Sequence, residues 1–448
     1  MSIQFIEGGA GTGKTTMLIQ RLRDRLADTP LREYQRVLAL TKMHGGRRRI
    51  RERLDSVEEL RGRFESVTVD SFAWRIVTRW RSLARMLVPG ELPEAFDARC
   101  DLAGRLLQEP IVQKWVAASF PIVVIDELQD SKGPQLLLLR GLAVRCECIV
   151  AGDPFQDLGG ETSCPSVEWA RQQGAVTVLA TIHRTNNAGL LAAASALRNG
   201  EAVVEARGFA LKGVPAWGLG AWEVASKIEK WRRLGGTVAV ITPVRAANSP
   251  FVRLIIERVR SKPPLGKKRK VGPFRLQWEA EDDDRVIEIC REIALPDTND
   301  ARVRVEDLKF ASEGPSASVR AWFTRQRRLF GRTDFNAAEV REVVRSVVRQ
   351  GRVFSNRKER NLVALNVHQA KNREFDRIIL LWPYEVGGND ESKRRLAYNA
   401  ITRARQEAFV IVQGEERTRQ PPFVPSGVLL NPDEIEVEGI DTTNLAPR

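Results

Sequence analysis

Cysteine is scarce: five in 448 residues, no two of them spaced C-x-x-C. That excludes the common structural zinc arrangements and a disulfide framework. Cys146 and Cys148, two apart in RCECIVAGD, share one face of an expected strand and read as core thiols. No apolar run approaches the length that crosses a bilayer, and no secretory leader is visible. The expectation is a reducing, cytoplasmic setting without membrane contact. Repeats and low-complexity tracts are missing as well. Negative charge is in deficit, with Asp+Glu 57 against Lys+Arg 71 and a net charge of +14. Such a surplus favours a polyanionic partner, most simply a nucleic acid. The hydrophobic share of 43% is ample for sizeable cores, and the length fits two to four domains.

Short β-rich apolar runs alternate with helical patterns at residues 36–41, 65–70, 120–126, 146–153 and 176–180. A second series occupies 236–243, 362–368, 376–382 and 407–414. This rhythm predicts an α/β protein with two parallel sheets and crossover helices. Each sheet is interrupted, by a helical stretch at about 75–119 and by a region at about 260–358. The latter holds the basic loop SKPPLGKKRKVGP, then the helical patterns DDDRVIEICREI and AAEVREVVRSVVRQ. The expected domains are 1–195 and 196–414, with a loosely packed tail at 415–448.

The segment IEGGAGTGKTTML, starting at Ile6, matches the complete phosphate-loop pattern: Gly8, four residues, then Gly13, Lys14 and Thr15. A short apolar run precedes it, and Leu18, Ile19, Leu22 and Leu26 follow at helical spacing. Gly8, Gly11 and Gly13 let the backbone curl so that its N–H groups and a helix N-terminus converge on phosphates. Thr12, within that turn, and Thr16, just after it, are further expected nucleotide contacts. Lys14 would reach the β- and γ-phosphates, and the Thr15 hydroxyl would bind Mg²⁺. The expected ligand is a nucleoside triphosphate with its magnesium ion.

VVIDELQDS places Asp126 and Glu127 at the end of an apolar strand, where α/β sheets bind ligands. One carboxylate there can hold Mg²⁺, assigned to Asp126; the other, Glu127, can orient and deprotonate a water. DELQD resembles the DExQD box of superfamily 1 helicases of the UvrD/Rep type, and further segments follow in that family's order. AGDPFQ resembles GDxxQ, LATIHRTNN the L-x-x-N-Y-R-S segment, VHQAKNREF the H-x-x-K-G-x-E-F segment, and KRRLAYNAITRAR the R-R-L-x-Y-V-A-x-T-R-A-R segment. TVDSFAWRI is similar to the T-x-H-S-F element that touches single-stranded DNA.

The resemblance implies two RecA-like domains in tandem with an ATP cleft between them, each interrupted by a small, mainly helical insertion. It implies that Gln156 senses the γ-phosphate, that Arg184 and Arg403 are arginine fingers, and that Gln129 and Glu374 contact the nucleotide, Glu374 at the ribose. A guanidinium suits these finger roles because it stays protonated and meets the charge that spreads over a transferring phosphoryl group. Ser71, Phe72 and His368 match positions lining the DNA path, and basic segments at 45–53, 266–270 and 325–328 would attract phosphates. The implied activity is a DNA-dependent ATPase translocating 3′ to 5′ on single strands or at DNA junctions. Both inserts are short for the family. A second expectation is therefore an ATPase switch subunit working with a nuclease partner, as in Gabija-type antiviral complexes. Four features depart from the family. No base-reading glutamine stands in its usual place ahead of the phosphate loop. The usual aromatic cluster after GDxxQ is replaced by a stretch holding Trp169. Asn372 and Asp70 take positions where glycine and histidine are usual.

Overall fold

A computed structural model describes residues 2–42, 44–88, 92–93, 96–159, 163–261, 271–279, 282–298, 301–354 and 361–426. Contacts divide the chain into two compact units. The first comprises Met1–Asp157, Ser163–Arg184 and Arg275–Leu365; the second comprises Leu158–Thr162, Thr185–Phe274 and Asn366–Arg448.

The first sheet is built from β1 (Ser2–Gly8), β2 (Val37–Thr41), β3 (Phe64–Thr68), β4 (Ile122–Ile125), β5 (Glu147–Gly152) and β6 (Ala175–Leu179). Its strand order is β3-β2-β4-β5-β1-β6, with every neighbour parallel. Buried on both faces, its central strands need no polar alternation, and β2 and β4 are buried at every position. Alternate residues serve two cores. Phe5, Leu38, Val123 and Val150 face one of them, and Ile6, Val37, Val124 and Ile149 face the other. Helix α1 (Lys14–Asp28) packs the second face with Leu18, Ile19, Leu22 and Leu26, the stripe expected from sequence.

A helical cluster covers the first face: α2 (Val69–Arg79), α3 (Arg81–Leu87), α4 (Phe96–Leu106) and α5 (Pro110–Ser119). The helical stretch expected from about residue 75 is split at Trp80, whose backbone leaves the helical region before α3 starts. Cys100, Cys146, Cys148, Cys164 and Cys290 are all buried and free. Burial pushes the Cys146 thiol up to about 12 and raises Cys148 as well, so these are inert core groups.

The second sheet contains β7 (Phe209–Val214), β8 (Val238–Thr242), β9 (Gln277–Trp278), β12 (Leu362–Asn366), β13 (Phe375–Trp382) and β14 (Ala404–Gln413), in the order β7-β14-β13-β8-β12-β9. β7 went unanticipated because it is an edge strand of mixed burial that carries Lys212 and Gly213 among its apolar residues. Within the first unit a helical cluster holds three helices, Asp282–Glu292, Pro315–Phe330 and Ala337–Phe354, with the antiparallel pair β10 (Arg302–Arg304) and β11 (Asp334–Asn336). Its own core centres on Phe323, whose ring meets Phe335 edge-on at 4.8 Å. The basic segment 266–270 lies outside the described residues, as do 427–448 of the tail.

Candidate active site

The sheet order sets the site. Because β4, β5, β1 and β6 are parallel neighbours, the loops leaving their C-terminal ends emerge side by side at one edge. Those four loops carry, in that order, Asp126 and Glu127, then Asp153 and Gln156, then the phosphate loop, then His183 and Arg184.

In the phosphate loop Gly11 and Gly13 take φ of +79° and +84°, values that side chains rarely tolerate. Gly13 is the N-cap of α1. A Cβ on Gly8 would fall 2.5 Å from Thr12 Oγ1, so Gly8 is required by close approach. Thr12 Oγ1 donates to the Gly9 carbonyl at 3.0 Å. Lys14 is buried, its Nζ donating to the Gly8 and Gly9 carbonyls at 2.9 Å each, which holds the cation over the loop. Thr16 lies one turn into α1, where its hydroxyl accepts from Arg53 Nη1 at 3.0 Å.

Thr15 Oγ1 donates to Asp126 Oδ2 at 3.0 Å, bridging the loops after β1 and β4. Burial, with the neighbouring Glu127 charge added, pushes the Asp126 carboxyl up to about 6; Lys14 and the Thr15 hydroxyl pull the other way. A hydroxyl and a half-buried carboxylate form a donor set that suits Mg²⁺, which takes few protein ligands beside phosphate and water oxygens. Among the described residues no group of three or more His, Cys, Asp or Glu offers a metal cage.

Glu127 sits at φ +59°, a left-handed conformation that turns its side chain off the strand direction. Its carboxylate accepts from Gln129 Nε2 at 2.6 Å, and Gln129 Oε1 accepts from Asp153 N at 3.0 Å. Asp153 in turn accepts from Phe155 N and, at 2.8 Å, from Gln156 Nε2. Gln129 is fully buried with both ends of its amide engaged by protein. The nucleotide contact expected of it is therefore corrected: its polar atoms are committed within the fold. Asp153, the acid of AGDPFQ, was not singled out from sequence although it anchors Gln156.

The segment carrying Arg184 is held against the phosphate loop. His183 N donates to the Gly11 carbonyl at 2.7 Å, and a Cβ on Gly11 would lie 2.6 Å from Arg184 Cβ. In the second unit Glu374 and Arg403 flank the start of the paired strands β13 and β14. Arg403 is buried, Nε donating to the Asn399 carbonyl at 2.9 Å, while its own carbonyl accepts from Phe375 N. Glu374 pairs with Arg405 at 3.0 Å.

Residues 361–411 match the family model of the UvrD-like helicase C-terminal domain, and residues 1–212 match that of the AAA domain. Together the two matches support a UvrD-like superfamily 1 helicase. No curated protein matches its sequence. Among solved structures, the helicase nonstructural protein 10 of an arterivirus is similar, with 11% identity and a TM-score of 0.38. That match takes in 94% of this chain and 62% of the other, so the chain spans less than two thirds of the viral helicase.

Two of its departures from the family pattern have local causes. Asn372, where UvrD-like helicases usually carry glycine, has φ +64°, and asparagine is among the few other residues that tolerate that region. Asp70 pairs with Arg99 at 3.3 Å, and the Arg99 guanidinium also lies over the Trp74 ring. Asp70 thus brings its own countercharge. Of the expected DNA-contacting residues, Ser71 and His368 are exposed. Phe72 is not: it is fully buried, edge-on to Phe120 at 6.1 Å, so its ring has no face to offer a base. Trp169 is likewise a core residue, packed in the same cluster.

Proposed function

We propose that this UvrD-like chain hydrolyses ATP and uses the hydrolysis to move along single-stranded DNA, 3′ to 5′ by family resemblance. One observation supports the reading above the rest: Thr15, Asp126, Glu127 and the turn bearing Gln156 are hydrogen-bonded into one cluster beside the phosphate loop. A loop that only bound phosphate would need no second carboxylate held in a left-handed backbone.

In this reading the backbone amides of residues 8–14 and Lys14 bind the β- and γ-phosphates. Thr15 and Asp126 hold Mg²⁺, which supplies countercharge for the phosphates. Glu127 accepts the proton of the attacking water, and Gln156 contacts the γ-phosphate. Arg184 meets the transition-state charge beside Gly11, and Arg403 is the second finger. Glu374 is assigned to the ribose.

The deciding experiment is ATP hydrolysis with and without single-stranded DNA, using Glu127→Gln as the blank. Stimulation of at least about tenfold is expected. Hydrolysis indifferent to DNA would overturn the motor and favour an ATPase switch acting through a protein partner such as a nuclease.

A further inference from the structure

The work of a catalytic base depends on what holds it, and here one buried amide does so. Gln129 occupies the turn after β4, at Leu128–Asp130, and is completely shielded from solvent. Its orientation is forced. Asp153 N can only donate, so the atom facing it at 3.0 Å is the amide oxygen, and the atom facing Glu127 at 2.6 Å is the amide nitrogen. The amide thereby joins two loops. On one side is the carboxylate of Glu127; on the other is the backbone of Asp153, whose side chain holds Gln156 Nε2 at 2.8 Å.

The surroundings are built for this arrangement. Gly152, the last residue of β5, lies so near that a Cβ there would stand 3.2 Å from Gln129 Oε1. Ser166 Oγ donates to the Leu128 carbonyl at 2.9 Å, and Cys164 Sγ reaches the Gln129 carbonyl at 3.8 Å, pinning the turn from behind. Asp126 is one charged neighbour of Glu127, and Lys14 in turn acts on Asp126. The Asp126 carboxylate repels Glu127, whereas the Gln129 amide donates to it at 2.6 Å. Fixed partners of this kind orient the group that does the chemistry.

We propose that Gln129 is a positioning residue: it fixes the Glu127 carboxylate for water activation and couples it to the turn that carries Gln156. The proposal rests on the reading of Glu127 as the catalytic base. It goes further, because any shift of Gln156 on meeting a γ-phosphate would pass through Asp153 and Gln129 to that base.

The test is a double-mutant cycle in single-turnover hydrolysis of radiolabelled ATP. Gln129→Met and Gly152→Ala are measured alone and in the Glu127→Gln background, with affinity for a fluorescent ATP analogue and Tm recorded on the same preparations. Met keeps the volume of glutamine and removes both hydrogen bonds; Ala at 152 only crowds the amide, so it keeps the cycle readable should Met destabilise the fold. The expected result is a rate loss of about ten- to hundredfold for Gln129→Met and several-fold for Gly152→Ala. Analogue affinity stays within about twofold, and neither variant slows Glu127→Gln further, since residues acting through one group are not additive. Losses that add in the Glu127→Gln background, or a fall in affinity at unchanged rate, would overturn the role of Gln129. Wild-type turnover by Glu127→Gln would instead overturn the assignment of the base itself.

Discussion

At the scale of single residues, Gly11 carries two constraints at once, a φ of +79° and an Arg184 Cβ only 2.6 Å from where its own Cβ would stand. Gly11→Ala cannot satisfy both without moving the phosphate loop or the Arg184 segment. The expected outcome is a stability loss of about 1–3 kcal/mol, measured by denaturant unfolding, and a larger fractional loss in turnover than in nucleotide affinity. Equal losses in the two would separate Arg184 from the chemistry. Lys14→Ala removes the cation held over the loop carbonyls at 2.9 Å, and nucleotide binding by calorimetry is expected to vanish. The residue types of the phosphate loop and of Asp126 and Glu127 were legible in sequence because chemistry fixes their spacing. Gln129 was not: only the fold shows that its amide is spent on Glu127 and Asp153. Nor was Phe72, since an aromatic at the start of a helix carries no mark of which way it packs, and here it fills the core.

At the scale of elements, burial decides how far the pattern can be read. β2, β4 and β5 were evident as apolar runs because both of their faces are covered, whereas β7, half-buried at an edge, mixes polar and apolar residues without a clean period. Phe72 belongs to this scale too, as the residue of α2 that meets Phe120. Phe72→Ala should cost about 3–5 kcal/mol in urea unfolding, the range for emptying a large core position. A loss of DNA affinity with stability intact would restore its expected place on the DNA path. In the second unit β8 and β13 are clasped where they begin. Thr237 N and Oγ1 donate to Asp376 Oδ2 at 2.7 and 2.9 Å, and Asp376 N returns a bond to Thr237 Oγ1 at 2.9 Å. The Thr237 backbone bond leads in lowering the Asp376 carboxyl below its ordinary value of 3.8, with Arg405 and Arg377 assisting. A carboxyl depressed in the folded state contributes stability that is fully present above the unfolded value and is lost as pH falls through the folded one. Asp376→Asn should therefore cost about 1 kcal/mol at pH 7, discounted for its partial exposure. The gap from wild type should close as unfolding is repeated from about pH 5 downward; a gap that stays constant with pH would mean the charge plays no part.

At the scale of the molecule, the two series of apolar runs announced two parallel sheets, and the sheets are there; the helical cluster with the Phe323 core was visible only as two helical patterns. Its middle helix, Pro315–Phe330, contains no acidic residue, yet Arg320, Arg325, Arg327 and Arg328 are all exposed on it. Among the described residues none of these four takes part in an ion pair, although arginines nearby do, Arg332 with Glu339 and Arg304 with Asp334. In a chain of net charge +14, arginines without carboxylate partners are the ones able to displace counterions from a polyanion. If single-stranded DNA is the track, its affinity should fall steeply with salt, and replacing Arg325, Arg327 and Arg328 together by alanine should flatten that dependence. Each phosphate neutralised on a single strand adds about 0.7 to the slope of log affinity against log salt, so removing three such arginines takes away about 2. Hydrolysis without DNA should be unaffected, because none of the three arginines is among the residues that hold the nucleotide loop. Titration by fluorescence anisotropy from about 50 to 200 mM salt measures the slope. An unchanged slope would mean that this basic face is solvated surface and that the track runs elsewhere.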